Sequence, residues 1–155
     1  MKGDPSREII FETGPLPMEY GACLDRPTLL ALGSYRGLGF AVQNMNGEFP
    51  CAYIDVAGTS FEQRSYLDLD IAVHGGLSYY GKRIAVIAGG WWVGWDYAHV
   101  GDAVFCKDSG GGCAKLFDGI WYSTEKIVGH CTSVIDQLLE MEKKKEKSGP
   151  ADLET

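Results

Sequence analysis

The chain has 155 residues, enough for one domain with a sizeable core, and its 45% apolar and 23% charged content is ordinary for a water-soluble globular protein. Its 14 basic and 21 acidic residues leave a formal charge of −7, which argues against sequence-independent binding to a nucleic-acid polymer, because neutralising phosphates needs a basic face. A small anion is still within reach of one or two arginines and a few backbone N–H groups. The 21 glycines argue against an all-helical bundle and for tight turns.

Five cysteines (Cys23, Cys51, Cys106, Cys113, Cys131) form no pair with zinc-ribbon or redox spacing. No apolar run reaches membrane-spanning length, and the first residues lack the apolar core of a signal peptide. The expectation is a cytoplasmic protein with reduced, mostly buried thiols and no membrane partner.

Taken in order, residues 1–8 are polar, and Glu8 to Glu12 predicts a short first strand. Gly14-Pro15-Leu16-Pro17 imposes an irregular extended stretch. Leu29 to Tyr35 reads as a strand. Two further strand-like runs, Phe40–Gln43 and Pro50–Val56, flank Asn44-Met45-Asn46-Gly47. Asn-Gly between such runs predicts a hairpin, since both residues tolerate positive φ. Gly58 to Tyr66 reads as a loop.

Leu67 to His74 alternates strictly, with Leu67, Leu69, Ile71 and Val73 on one side and Asp68, Asp70, Ala72 and His74 on the other. That pattern predicts a half-buried strand. Leu77–Tyr80 and Arg83–Ala88 are expected to pair around Gly81-Lys82. Alternation through Trp91-Trp92-Val93-Gly94-Trp95 places Trp91, Val93 and Trp95 on one side and Trp92 on the other, so at least one indole is core. Residues 96–118 read as one long loop.

Ile127, Val128, Cys131, Val134, Ile135, Leu138, Leu139 and Met141 trace a helical stripe, with Ser123 or Thr124 as its cap. Gly129 interrupts the helix, at a cost of about 1 kcal/mol relative to Ala, and predicts close packing there. Together these elements predict an α+β fold: a mostly antiparallel sheet with one long C-terminal helix packed on it. A single domain is expected over 1–147, with a disordered tail over 148–155.

Candidate chemistry concentrates between Asp68 and Asp102. His74 and His99 accompany Asp70, Asp96 and Asp102. Imidazole beside carboxylate can perform general acid–base work, since the carboxylate orients the ring and tunes its pKa. The same side chains can cap turns, or hold a divalent metal, although no family-defining ligand spacing is present. The three-residue spacing of Asp96, His99 and Asp102 would align them on one helical turn if that stretch were helical.

Gly75-Gly76 and Gly89-Gly90 can present backbone N–H groups to an anion, but neither belongs to a P-loop or dinucleotide fingerprint, so no organic cofactor is implied. Trp91, Trp92, Trp95, Tyr97, Tyr79 and Tyr80 offer flat surfaces, some of them for stacking, and Arg64, Lys82 and Arg83 are the nearest cations. Cys106 and Cys113 flank a Gly-rich loop and are the weaker thiol alternative.

The blocks Cys51-Ala-Tyr-Ile, Asp70-Ile-Ala-Val-His74-Gly-Gly-Leu-Ser-Tyr and Trp91-Trp-Val-Gly-Trp-Asp96-Tyr-Ala-His99-Val-Gly-Asp102 resemble those of a group of small phage and prophage proteins of unknown function. Those proteins carry a His-Gly-Gly block followed by a Trp-Trp…Asp-x-Ala-His-x-Gly-Asp block. Trp95 stands here where that group often has Phe. The resemblance covers roughly residues 50–102. It implies a phage-associated origin, and proteins of that context often act against host defence.

The first expected function is therefore capture of a small nucleotide-derived signal, with a subunit interface of a homo-oligomer as one setting for the pocket. Asp70, His74, Gly75, Gly76, Tyr79, Arg83, Trp92, Asp96, His99 and Asp102 are the candidate ligand contacts. The second is hydrolysis of such a molecule, with His74, His99 and Asp102 catalytic or holding a metal. The third is a protein-blocking inhibitor that uses an exposed aromatic patch.

Overall fold

The structure, a computed structural model, describes residues 7–20, 26–62, 69–107, 110 and 113–154, from 145 onward by backbone alone. Six strands form one antiparallel sheet: β1 (Ile9–Thr13), β2 (Thr28–Tyr35), β3 (Leu38–Met45), β4 (Phe49–Asp55), β5 (Tyr79–Ile84) and β6 (Ile87–Asp96). Their spatial order is β1-β2-β3-β4-β6-β5. A small second sheet pairs β7 (Val104–Lys107) with β8 (Cys113–Phe117), and a long helix, α1 (Thr124–Glu154), follows. The α+β expectation holds. No helix among the described residues is long and apolar enough to cross a membrane.

Local chemistry sets the hairpins. Asn46 and Gly47 both take positive φ between β3 and β4, and the Asn44 side chain accepts the Gly47 N–H at 2.6 Å. Arg36 and Gly37 do the same between β2 and β3. The helix starts where Ser123 Oγ accepts the Lys126 N–H at 3.1 Å, which satisfies one of the donors every helix start leaves open. Thr124 instead donates its hydroxyl to the Leu16 carbonyl, pinning the proline-rich stretch to the helix start.

The stripe on α1 packs against one side of the sheet. Ile127, Val128, Cys131, Val134, Ile135 and Leu138 meet Leu30, Phe40, Val42, Ile54, Val93 and Trp95 in one core. Each such aliphatic side chain, fully buried, contributes about 1.5–3 kcal/mol. A smaller cluster of Ala41, Cys51, Tyr53, Ile84 and Trp92 covers the other side. There the β5–β6 tip folds inward, so that the Val86 N–H donates to Oε1 of the fully buried Gln43 at 3.1 Å.

Several expectations need correction. Residues 69–73 join no ladder. Their alternation is real, with Leu69 buried and Ile71 and Val73 packed on the core, but the partner is a side chain. Gln137 on α1 accepts the Ala72 N–H at 2.7 Å and donates to the Ala72 carbonyl at 2.8 Å, so an amide stands in for a neighbouring strand. Leu67 and Asp68 lie outside the described residues.

The β5–β6 turn falls at Ala85-Val86, because Gly81 and Lys82 sit at an irregularity within β5. The stretch 96–118 is not one loop, since β7 and β8 pair within it. Gly129 is exposed with open space around its Cα, so no close packing explains it. The helical backbone runs to Glu154, into the stretch expected to lack structure. Cys113 is disulfide-bonded, against the expectation of reduced thiols, while Cys51, Cys106 and Cys131 are free.

Candidate functional site

The site forms where β6 ends and the chain doubles back. Asp96, the last residue of β6, accepts the Ala98 N–H at 3.1 Å and the Ser78 hydroxyl at 3.3 Å. The chain then makes a tight turn rather than a helix. The Asp102 N–H donates to the His99 carbonyl at 2.9 Å, and the His99 N–H donates to Asp102 Oδ2 at 3.0 Å. This reciprocal pair draws the Asp102 carboxylate back beneath His99 and buries it. A three-residue spacing thus brings the two side chains together without a helix.

The far side of Asp102 is fixed by strand-like pairing. The Ile120 N–H donates to the Gly101 carbonyl at 2.9 Å, and the Ala103 N–H donates to the Ile120 carbonyl at 3.0 Å. A Cβ at Gly119 would collide with the backbone of Gly101 and Asp102, so this close approach requires glycine.

A buried carboxylate is costly unless hydrogen-bonded. Asp102 meets that need partly through His74, whose Nε2 lies 2.9 Å from it. His74 reaches this position because the segment held by Gln137 ends in a turn at residues 74–75, and the Gly76 N–H donates to the Val73 carbonyl at 2.8 Å. Gly75 has φ of 68°, and a side chain there would run into the His99 ring. Glycine at 75 therefore serves both the turn and the seating of the imidazole.

His99 Nδ1 lies 3.6 Å from Asp102 Oδ2 and 3.7 Å from Asp96 Oδ1, beyond hydrogen-bond range. That nitrogen is buried and has no hydrogen-bond partner. One donor atom each from His74, His99 and Asp102 lies within 4.8 Å of the others.

Aromatic rings enclose the cluster. His74 stacks on Tyr97 at 4.7 Å between centroids and meets Tyr122 edge-on at 5.0 Å. Behind Tyr97 stands His130, the third histidine, with Nδ1 2.6 Å from the Tyr97 oxygen. Trp95 Nε1 donates to that same oxygen at 3.0 Å. Indole N–H is a donor only, so the phenol oxygen accepts from Trp95 while it shares its second hydrogen bond with His130 Nδ1. Burial lowers the His130 pKa, and the electrostatic influence of neighbouring His74 and Lys126 lowers it further. Burial raises the Tyr97 phenol, and Asp102 adds to that.

Tyr122 is also a wall of the neighbouring cavity. That cavity measures about 310 Å³ and is lined by Pro17, Met18, Tyr20, Trp121, Tyr122 and the helix start at Ser123–Glu125. Tyr20 lies stacked on Trp121 at 4.1 Å, and its hydroxyl bonds to the Tyr122 backbone. The Tyr20 pKa is raised, chiefly by burial, with the Asp102 charge as a smaller cause. Trp121 is more than half exposed.

Of the residues expected at the site, His74, Gly75, Asp96, His99 and Asp102 converge, and Gly76 lies in the adjoining turn. Asp70 is exposed on the segment leading to them. Tyr79 and Trp92 belong to the opposite side of the sheet. Trp92 is buried there with Nε1 donating to the Gly89 carbonyl at 2.7 Å, and Tyr79 donates to the Arg83 carbonyl. Arg83 is exposed on the same hairpin, and Arg64 lies outside the described residues.

Gly89-Gly90 is no anion cradle either. The Asp55 carboxylate lies against Gly90 and accepts the Trp91 N–H at 3.1 Å. Cys113, being disulfide-bonded, is no nucleophilic thiol. Sequence reasoning passed over His130, Tyr20, Trp121 and Tyr122. His130 was findable, because it lies three residues after Ile127 and four before Val134 on the helical stripe. The other three come together only in space. No protein-family model, curated protein or solved structure matches the chain.

Proposed function

We propose that this protein binds a small ring-containing ligand of the nucleotide-derived class and holds it at the junction of the His74–His99–Asp102 cluster and the Tyr20–Trp121–Tyr122 cavity. The observation that carries the reading is that junction. Three side chains suited to a polar or phosphorylated group share a wall, Tyr122, with an aromatic-lined cavity of about 310 Å³. A cavity of that size suits a nucleoside-sized ligand, and base–aromatic stacking contributes about 1–3 kcal/mol per base. In a phage-derived protein, as the resemblance implies, such binding would serve to sequester a defence signal inside the host cytoplasm. The Cys113 disulfide is the feature this location must accommodate, since disulfides are uncommon in reducing compartments.

A hydrolytic reading draws support from one further observation. Asp102 orients the His74 imidazole at 2.9 Å, as a general acid–base pair requires. One experiment separates the two. Incubate the protein with adenosine monophosphate, ADP-ribose and cyclic dinucleotides, measure binding at equilibrium, then denature it by heat and analyse what is released. Intact ligand recovered from the wild type, with binding weakened at least about tenfold in Trp121→Ala, fits capture. Altered ligand, with the alteration lost in His99→Ala, fits hydrolysis. No binding or conversion of any of the three classes overturns both.

A further inference from the structure

We infer that His74, His99 and Asp102 form a binding site for a first-row divalent cation of the zinc type, with Asp96 beside its open position. A plain hydrogen-bond network leaves one group of the cluster unexplained. His99 Nδ1 is buried and unpartnered, yet it faces two carboxylates at 3.6 and 3.7 Å. Those separations are too long for direct hydrogen bonds, so the nitrogen's lone pair or proton is left without a protein partner.

They suit an ion. With metal–ligand bonds of 2.0–2.1 Å, the edge of a tetrahedron is about 3.4 Å. The edge from His74 Nε2 to Asp102 is 2.9 Å and that from His99 Nδ1 to Asp102 is 3.6 Å, so the two bracket that length. Every donor pair in the set lies within 4.8 Å, and modest rotation of an imidazole closes the longest gap.

The donor chemistry selects the metal class. Two imidazoles and one carboxylate suit zinc and its first-row neighbours, whereas magnesium and calcium prefer oxygen. The three side chains are also held in place by their surroundings. Asp102 is anchored by the His99 N–H, His74 rests flat on Tyr97, and Gly75 leaves the His99 ring its space. Three protein ligands leave a coordination position open, which is where a phosphate or carboxylate oxygen would attach. The inference goes beyond the ligand reading, since the ion binds whether or not an organic molecule follows.

The test uses the full chain dialysed against chelator and titrated with the metal alone. Zinc is followed by calorimetry, and cobalt(II) by the visible absorption of a four-coordinate ion. The expected result is one equivalent per chain, insensitive to excess magnesium and at least about 100-fold weaker in His99→Ala. His99 has a 42% exposed side chain, so its replacement should leave the apo fold intact, and circular dichroism verifies this. His74→Gln provides an independent second variant.

Absence of stoichiometric binding overturns the site, as does binding that survives both substitutions or competition by magnesium at equal affinity. The nucleotide panel repeated in chelator keeps the two proposals apart. Stacked ligand that still binds there supports the pocket even if the metal titration fails.

Discussion

The two sides of the central sheet treat their buried polar groups in opposite ways. On the side away from the helix, Trp92, Tyr79 and Gln43 close on nearby protein. Trp92 Nε1 donates to the Gly89 carbonyl, Tyr79 donates to the Arg83 carbonyl, and Gln43 joins the Val86 N–H to the Tyr53 hydroxyl. Burial pushes the Cys51 thiol there up to about 12, which leaves it inert as a nucleophile. On the helix side, the polar groups form a relay that runs outward from Trp95 through Tyr97 to His130. Beside it, His74 and Asp102 end at a nitrogen with no partner. Aromatic and titratable residues on a strand are therefore structural or chemical according to whether local backbone exhausts their valences.

The comparison can be broken most decisively at Trp92. Trp92→Ala should cost about 4 kcal/mol in urea denaturation, as expected for a buried indole, while zinc or nucleotide affinity of the folded fraction stays unchanged. A parallel loss of affinity would show that the two sides are not independent. Asp102→Ala should cost about 3 kcal/mol, because it strands His74 and the His99 N–H, and it should abolish both binding readouts. Equal destabilisation without loss of binding would reduce the cluster to a turn.

A smaller effect should come from the outer surface of α1, which faces neither side of the sheet. Gly129 sits there with open space around it, so Gly129→Ala should raise stability by about 1 kcal/mol by thermal melting, with no change in binding. The smallest is a pH effect at His130. Its folded pKa is depressed, so the unfolded chain binds the extra proton first as pH falls. Stability is then full above the ordinary histidine value of about 6.5 and declines as pH drops from there through the lowered folded value. His130 faces Tyr97, Tyr122, His74 and Lys126, whose contributions also enter the wild-type profile. The measurement is therefore the difference in melting temperature between wild type and His130→Gln from pH 7.5 to 5, which should shrink the slope.

The helix, the Asn46-Gly47 hairpin and the opposite orientations of Trp92 and Trp95 were legible because each follows from a period or a turn residue within a few positions. The pairing of His74 with Asp102 was approached from composition alone. The expected convergence of His74, His99 and Asp102 is found, whereas Tyr79, Arg83 and Trp92 lie close in sequence and away from the cluster in space. The misplaced hairpin at Gly81-Lys82 has the same origin. Glycine signals a break in regularity but does not distinguish a bulge from a turn.

By itself, the amino-acid sequence determined the antiparallel sheet, the capped C-terminal helix and the richness in histidine and aspartate between positions 68 and 102, because periodicity and turn chemistry act over short distances. Only the tertiary structure decided that residues 69–73 find their partner in a helix glutamine. Only it decided that a third histidine stands behind Tyr97, and that Tyr20, Trp121 and Tyr122 enclose a cavity beside Asp102. Those outcomes depend on contacts between residues far apart in the chain, such as Tyr20 with Tyr122, and on which side chains remain to satisfy a buried polar atom once the core has closed.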